Sequence, residues 1–297
     1  MRILIKIGGA QLEQLGPRRQ LCESIRLAQE AGHEVLIVHG GGNQIRTTTL
    51  ALGLQDRYHE GLRITDAATA DAVLMVLGGK VNRTLVHTLA TCRVKAVGLT
   101  GADGSTFTAK PLVRSGVDLG YVGSIDKVDR TLVEALLKSG HVPVIATVAP
   151  GTHEASAAPA ASNTPADSSE AIESEATDEP FFNINADHAA GPLCHEFDCD
   201  ALLFLTDVDG VLDREGRLMP LLTDNDCERL VLTGVVAGGM QPKLESAQLA
   251  AHANPTAIVK IAPAAADNCV LAGLRDGAGT RFFATANKST PGELQHG

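Results

Sequence analysis

A lysine inside an otherwise apolar run either snorkels to water or meets an anion, and Lys6 stands inside such a run, residues 3–7, directly before Gly8 and Gly9. Its place ahead of Gly-Gly favours the anion. A second cluster, His39-Gly40-Gly41-Gly42, ends the next apolar run, residues 34–38. Glycines where a strand hands over to a helix let backbone N–H groups approach an anion with no side chain between them, and the helix start adds positive potential. Either cluster alone could equally be a tight turn. Neither fits the G-x-G-x-x-G dinucleotide pattern, and Gly79-Lys80 opens no P-loop, because Leu74 stands where the first glycine is required.

Four further groups could complete such a site. Lys243 follows Gly238-Gly239-Met240-Gln241-Pro242, where the proline marks a helix start. Cations are mildly disfavoured there, so this lysine suggests a compensating anion, although surface lysines at helix starts are common. Asn183-Ile184-Asn185-Ala186-Asp187 reads either as a helix cap or as a site in which a carboxylate holds lysines while an asparagine donates to a substrate carboxylate. Thr206-Asp207-Val208-Asp209-Gly210 ends a buried run and would face a ribose or Mg²⁺, unless it is the turn that opens a hairpin. Gly61-Leu62-Arg63 offers a guanidinium able to clamp a carboxylate through two parallel hydrogen bonds. Cys194, His195 and Cys199 lack a second pair at zinc-ligand spacing, so no protein-held metal is expected. No G-x-S-x-G motif and no Cys–His arrangement supports nucleophilic catalysis.

These residues need a scaffold, and the apolar pattern supplies one. Strands are expected at 3–7, 34–38, 94–99, 142–148, 201–205 and 257–261, and helices at 17–32, from the glycines at 40–42 to about 52, 131–137, 185–197, 227–232 and 243–252. Thr65-Asp66 should cap a long amphipathic helix reaching about residue 89, and residues 211–219 read as a hairpin. Alternation of strand and helix implies a mostly parallel sheet covered by helices, with ligands at the carboxyl ends of the strands.

The chain has 297 residues, 44% of them hydrophobic, enough for a large buried core. No run is long and apolar enough to span a bilayer, and no secretory signal opens the chain, so a cytoplasmic enzyme is expected. Its six cysteines are too dispersed for a disulfide framework and are assigned to packing. The net charge of −10 owes much to residues 151–180, which hold seven acids and neither Lys nor Arg. This Ala/Ser/Thr/Pro-rich segment should be a disordered acidic insert between a lobe at 1–150 and a lobe at 181–297, and the tail after about 286 should be frayed. With no basic stripe, no Trp and only Tyr 2 and Phe 7, binding to nucleic acid is not expected.

Together, Lys6-Ile-Gly-Gly, Val38-His-Gly-Gly-Gly, Gly61-Leu-Arg-Ile-Thr-Asp66, Gly98-Leu-Thr-Gly-Ala-Asp-Gly104, Asn183-Ile-Asn-Ala-Asp187, Thr206-Asp-Val-Asp-Gly210 and Gly238-Gly-Met-Gln-Pro-Lys243 resemble the acetylglutamate kinases, a branch of the amino acid kinase (carbamate kinase-like) family. The motifs occur in family order over nearly the whole chain. The resemblance implies a single α/β/α sandwich, with the amino acid in the N-terminal lobe and ATP in the C-terminal lobe. It implies that Lys6 and Lys243 flank the transferred phosphoryl group, that Asp187 organises both lysines, and that Arg63 and Asn183 hold N-acetyl-L-glutamate. The backbones of Gly8, Gly9, Gly41 and Gly42 would bind phosphate and substrate. Asp207, Val208, Asp209, Gly210, Val211 and Leu212, with Val235, Val236 and Ala237, would contact ATP, and Mg²⁺ would be held mainly through the phosphates. Arginine-inhibited relatives carry an extra N-terminal helix that joins dimers into a ring; here the first strand starts at residue 2 or 3, which implies a homodimer insensitive to arginine. The alternatives are a kinase for carrier-linked aminoadipate or glutamate, a catalytically inactive nucleotide or arginine sensor, and an aspartate or glutamate kinase. The acidic insert, in place of a short hairpin, is the chief departure from the family pattern.

Overall fold

The computed structural model describes residues 1–114, 116–152, 181–237 and 240–284. The acidic insert from residue 153 onward, Gly238-Gly239 and the tail from 285 lie outside them. The N-terminal half runs β1 (Arg2–Ile7), α1 (Gly9–Glu13), α2 (Leu15–Glu30), β2 (Glu34–His39), α3 (Gly42–Ala51), β3 (Tyr58–His59), β4 (Leu62–Arg63), α4 (Ala67–Leu74), a π-helical stretch (Met75–Val81), α5 (Asn82–Thr91), β5 (Ala96–Leu99), β6 (Phe107–Pro111), β7 (Val122–Val128), α6 (Thr131–Lys138), β8 (Val142–Ala146) and β9 (Val148–Pro150). Beyond the insert follow β10 (Phe181–Ile184), α7 (Ala186–Glu196), β11 (Ala201–Thr206), β12 (Leu221–Leu222), α8 (Asp224–Leu232), α9 (Met240–Ala253), β13 (Ile258–Pro263), α10 (Cys269–Leu274) and β14 (Thr280–Phe282).

Eight strands form one sheet in the order β12-β14-β13-β11-β1-β2-β8-β5. From β13 through β5 every pairing is parallel, and β14 joins β13 antiparallel. The central strands are buried on both faces, which is why they read as continuous apolar runs. Alternation sends Leu4, Leu36 and Phe204 into one core beneath α6, α7 and α9, and Ile3, Ile5, Ile37 and Leu203 into the other beneath α2, α5 and α10. The expected α/β/α sandwich is therefore present. Lys6 shares the parity of Leu4, so its side chain is directed to the face covered by α7.

Several features depart from the sequence reading, among them α1, β3, β4, β10, β12, α10 and β14, which no pattern announced. The single strand expected at 142–148 divides at Thr147: β8 ends there and β9 crosses to a second sheet, ordered β6-β7-β10-β9. Thr147 serves both sheets, its carbonyl accepting from Ile184 N at 3.0 Å and its hydroxyl donating to the His39 carbonyl at 3.4 Å. β6 and β7 were not anticipated, because they interleave Gly, Lys, Asp, Ser and Thr with the apolar residues. The long helix after Asp66 exists, with Asp66 accepting from Thr69 N at 2.9 Å as its cap, but its middle turns are π-helical. The hairpin forms as expected, through Asp213 N to Arg217 O and Met219 N to Val211 O, both at 2.9 Å. All six cysteines are free and buried. Among the described residues no helix is long and apolar enough to cross a membrane.

Candidate active site

The carboxyl ends of β1 and β2 lie side by side, Ile7 opposite His39, so the two glycine clusters meet above the sheet. There, with β10, the start of α7 and the start of α9, they enclose a cavity of about 290 Å³. Its wall includes Lys6, Gly8, Gly9, Gly41, Gly42, Arg63, Asn183, Asp187 and Lys243, nine residues that the sequence singled out from five separate stretches.

Lys6 is only 5% exposed, and its Nζ lies 2.7 Å from Oδ1 of Asp187. This ion pair answers the problem of a lysine in a buried strand. Asn185 settles its own ambiguity by capping α7: its Oδ1 accepts from Asp187 N at 2.8 Å and from His188 N at 3.3 Å. The cap fixes the turn that aims Asp187 at Lys6. Asn183, two residues earlier on β10, stays on the cavity wall. Lys243, half-buried in the first turn of α9, faces the same space, but among the described residues no ion pair joins it to Asp187. The ion pair of this carboxylate is with Lys6.

The glycine loops work by what they lack. A Cβ on Gly9 would stand 3.3 Å from the Gly42 nitrogen, so a side chain there would crowd the amide that the cavity needs open. The Gly42 carbonyl accepts from Arg63 Nη2 at 3.4 Å.

Arg63 is buried and already oriented. Its guanidinium contacts the Asp56 carboxylate and the Tyr58 hydroxyl, and its Cζ lies 4.8 Å from the centre of the Tyr58 ring. The short β3–β4 pairing sets Tyr58 opposite Arg63. Sequence reasoning missed Asp56 and Tyr58, which sit in an irregular stretch with no periodicity to mark them.

The segments matched to ATP contact do not line this cavity. Residues 207–212 follow β11, with Thr206 Oγ1 donating to Asp207 Oδ1 at 2.9 Å and Val211 N donating to Thr280 Oγ1 at 2.8 Å. Val236 is buried and Ala237 exposed at the end of the turn after α8. Among the described residues no group of three or more His, Cys, Asp or Glu is placed to hold a metal ion.

A sequence profile of the amino acid kinase family matches residues 1–260. The chain belongs to that family. It is 38% identical over 266 residues to an acetylglutamate kinase from Koribacter versatilis, covering 89% of this chain and 91% of the relative. An acetylglutamate kinase from Agrobacterium fabrum is 33% identical over 288 residues, covering 94% of this chain and 90% of the relative. Among solved structures, N-acetylglutamate synthase from Neisseria gonorrhoeae, complexed with coenzyme A and N-acetyl-glutamate, superposes with a TM-score of 0.76 at 23% identity, over 96% of this chain and 60% of that one. Giardia carbamate kinase superposes with a TM-score of 0.65 at 14% identity, over 96% of this chain and 99% of that one. These two likenesses concern the fold. The family membership makes the chain a kinase.

Proposed function

We propose that this kinase transfers the γ-phosphoryl group of ATP to the side-chain carboxylate of N-acetyl-L-glutamate, giving N-acetyl-L-glutamyl 5-phosphate for arginine biosynthesis. The observation that carries the reading is the identity to acetylglutamate kinases over nearly the whole of both chains, joined to a cavity that gathers Lys6, Lys243 and both glycine loops.

The acceptor carboxylate is already ionised at neutral pH, so its attack on the γ-phosphorus requires no general base. Its oxygen bonds to phosphorus as the bond to the β-phosphate oxygen breaks and ADP leaves. Catalysis then rests on position and on neutralising charge spread over the phosphoryl oxygens. Lys6 and Lys243 supply two ammonium groups, and the amides of Gly8, Gly9, Gly41 and Gly42 supply donors. Asp187 keeps Lys6 in place. Arg63, held by Asp56 and Tyr58, meets a substrate carboxylate in a preset orientation, and Asn183 adds a donor. Residues 207–212 and 235–237 carry the nucleotide. Mg²⁺ would be held mainly through the phosphates of ATP and would supply positive charge there.

The enzyme works in the cytoplasm, where ATP and amino-acid intermediates are available. It is a homodimer: β5 is the outer strand of the main sheet, and its free edge invites pairing with a second copy. Light scattering at twice the chain mass supports this, and a single chain mass refutes it. For the reaction, an ADP-release assay across N-acetylglutamate, glutamate, aspartate and carbamate should give activity chiefly on N-acetylglutamate. Equal kcat/KM for the acetylated and free amino acid would refute the substrate.

A further inference from the structure

His39 ends β2 directly before the glycines at 40–42, and no step above uses it. It is 0% exposed, and both ring nitrogens are engaged. Nδ1 lies 3.0 Å from the carbonyl oxygen of Gly40, and Nε2 lies 3.0 Å from Nδ2 of Asn82. A carbonyl can only accept, so Nδ1 carries the proton. Asn82 Nδ2 also donates to the Val144 carbonyl at 2.9 Å, which fixes the orientation of the amide and makes it a donor to the bare Nε2. Burial pushes the imidazole pKa down to about 4, so the ring is a neutral hydrogen-bonding part through the physiological range rather than a charge facing phosphate.

The surroundings show what this ring holds. Asn82 opens α5 where the π-helical stretch ends, and it fits only because position 98 is glycine: a Cβ there would lie 1.8 Å from Asn82 Oδ1. The amide therefore ties the long helix to β8 and, through His39, to the loop after β2. One residue past the pinned Gly40 carbonyl, Gly41 caps α3, its own carbonyl accepting from Ile45 N at 2.8 Å. The loop is thus fastened on its far side by Nδ1–H and at its exit by the first turn of α3, leaving Gly41 and Gly42 on the cavity wall.

We propose that His39 is a positioning residue: its Nδ1–H, held in that tautomer by Asn82, pins the Gly40 carbonyl and so sets where the Gly41 and Gly42 amides meet the anion. This rests on the reading of the cavity as the phosphoryl and substrate site.

Two variants separate the two bonds of the ring. His39→Asn keeps a donor near the place of Nδ1 and loses the acceptor for Asn82; His39→Gln keeps an acceptor near the place of Nε2 and loses the donor to Gly40. Hydrogen exchange over residues 38–45 of the substrate-free enzyme reads the loop, and steady-state kinetics read the site. His39→Gln should exchange faster at 40–42 and lose about 10- to 100-fold in kcat/KM for N-acetylglutamate, the scale of a misplaced binding group, with its melting temperature little changed. His39→Asn should keep wild-type exchange at 40–42 and near wild-type kcat/KM while melting earlier, since Asn82 loses a buried partner. The opposite pattern, or equal losses in both variants, would overturn the proposal and leave His39 as packing. Nitrogen-15 shifts of the His39 ring in the wild type give a reading that needs no variant: a protonated Nδ1 with a bare Nε2 supports the proposal, and the other tautomer overturns it. If the wild type failed to phosphorylate N-acetylglutamate, the exchange difference and the tautomer would still decide the positioning role, and only the functional reading would fall.

Discussion

Lys243→Ala is expected to lower kcat by about 10²- to 10³-fold, the loss that follows when one preorganised charge is taken from a developing anion. Its melting temperature should hardly move. Lys243 is half-buried at the cavity wall, and among the described residues it neutralises no buried carboxylate, so removing it strands no partner. Turnover at saturating ATP and N-acetylglutamate, beside a thermal melt, separates the two effects. Near wild-type kcat would remove Lys243 from the phosphoryl site, and a large drop in melting temperature would make its role structural.

Lys6→Ala should damage both properties. It lines the same cavity as Lys243 and is proposed to face the same anion, so a loss of about 10²- to 10³-fold in kcat is expected again. In addition, Asp187 would keep a largely buried carboxylate without its ion-pair partner at 2.7 Å. Breaking a buried pair from one side costs about 3–5 kcal/mol, toward the lower end here because the pair borders a cavity that admits water. At about 2–4 °C per kcal/mol, the melt should fall visibly. Removing Asp187 as well, in a Lys6→Ala, Asp187→Ala double variant, should restore much of the melting temperature and none of the turnover. Unchanged melting and turnover in Lys6→Ala would mean that the pair is an incidental contact.

The contrast between these two lysines shows what the sequence made legible. Lys6 was readable because a charge in a buried strand requires a partner, and strand parity points it to the face where α7 carries Asp187. The main sheet was readable because strands buried on both faces are continuous apolar runs. The Asn185 cap was one of two readings of a polar cluster, and only coordinates could separate it from the cavity-lining Asn183. Other features left no local mark. Thr147 lies within an unbroken buried run, so nothing in its neighbours signals that the chain changes sheets there. The π-helical stretch from Met75 to Val81 preserves helical spacing closely enough to read as plain α-helix. Tyr58 reaches Arg63 through a two-residue pairing too short to produce a pattern, and Asp56 reaches it from the irregular stretch just before.

Product identity tests the central claim most directly. The enzyme is incubated with MgATP, N-acetylglutamate and hydroxylamine, which converts an acyl phosphate to a stable hydroxamate. Phosphoryl transfer to the side-chain carboxylate predicts N-acetylglutamyl hydroxamate formed mole for mole with ADP, and loss of both together in Lys243→Ala. ADP release without hydroxamate, or equal hydroxamate yield from free glutamate, would contradict it.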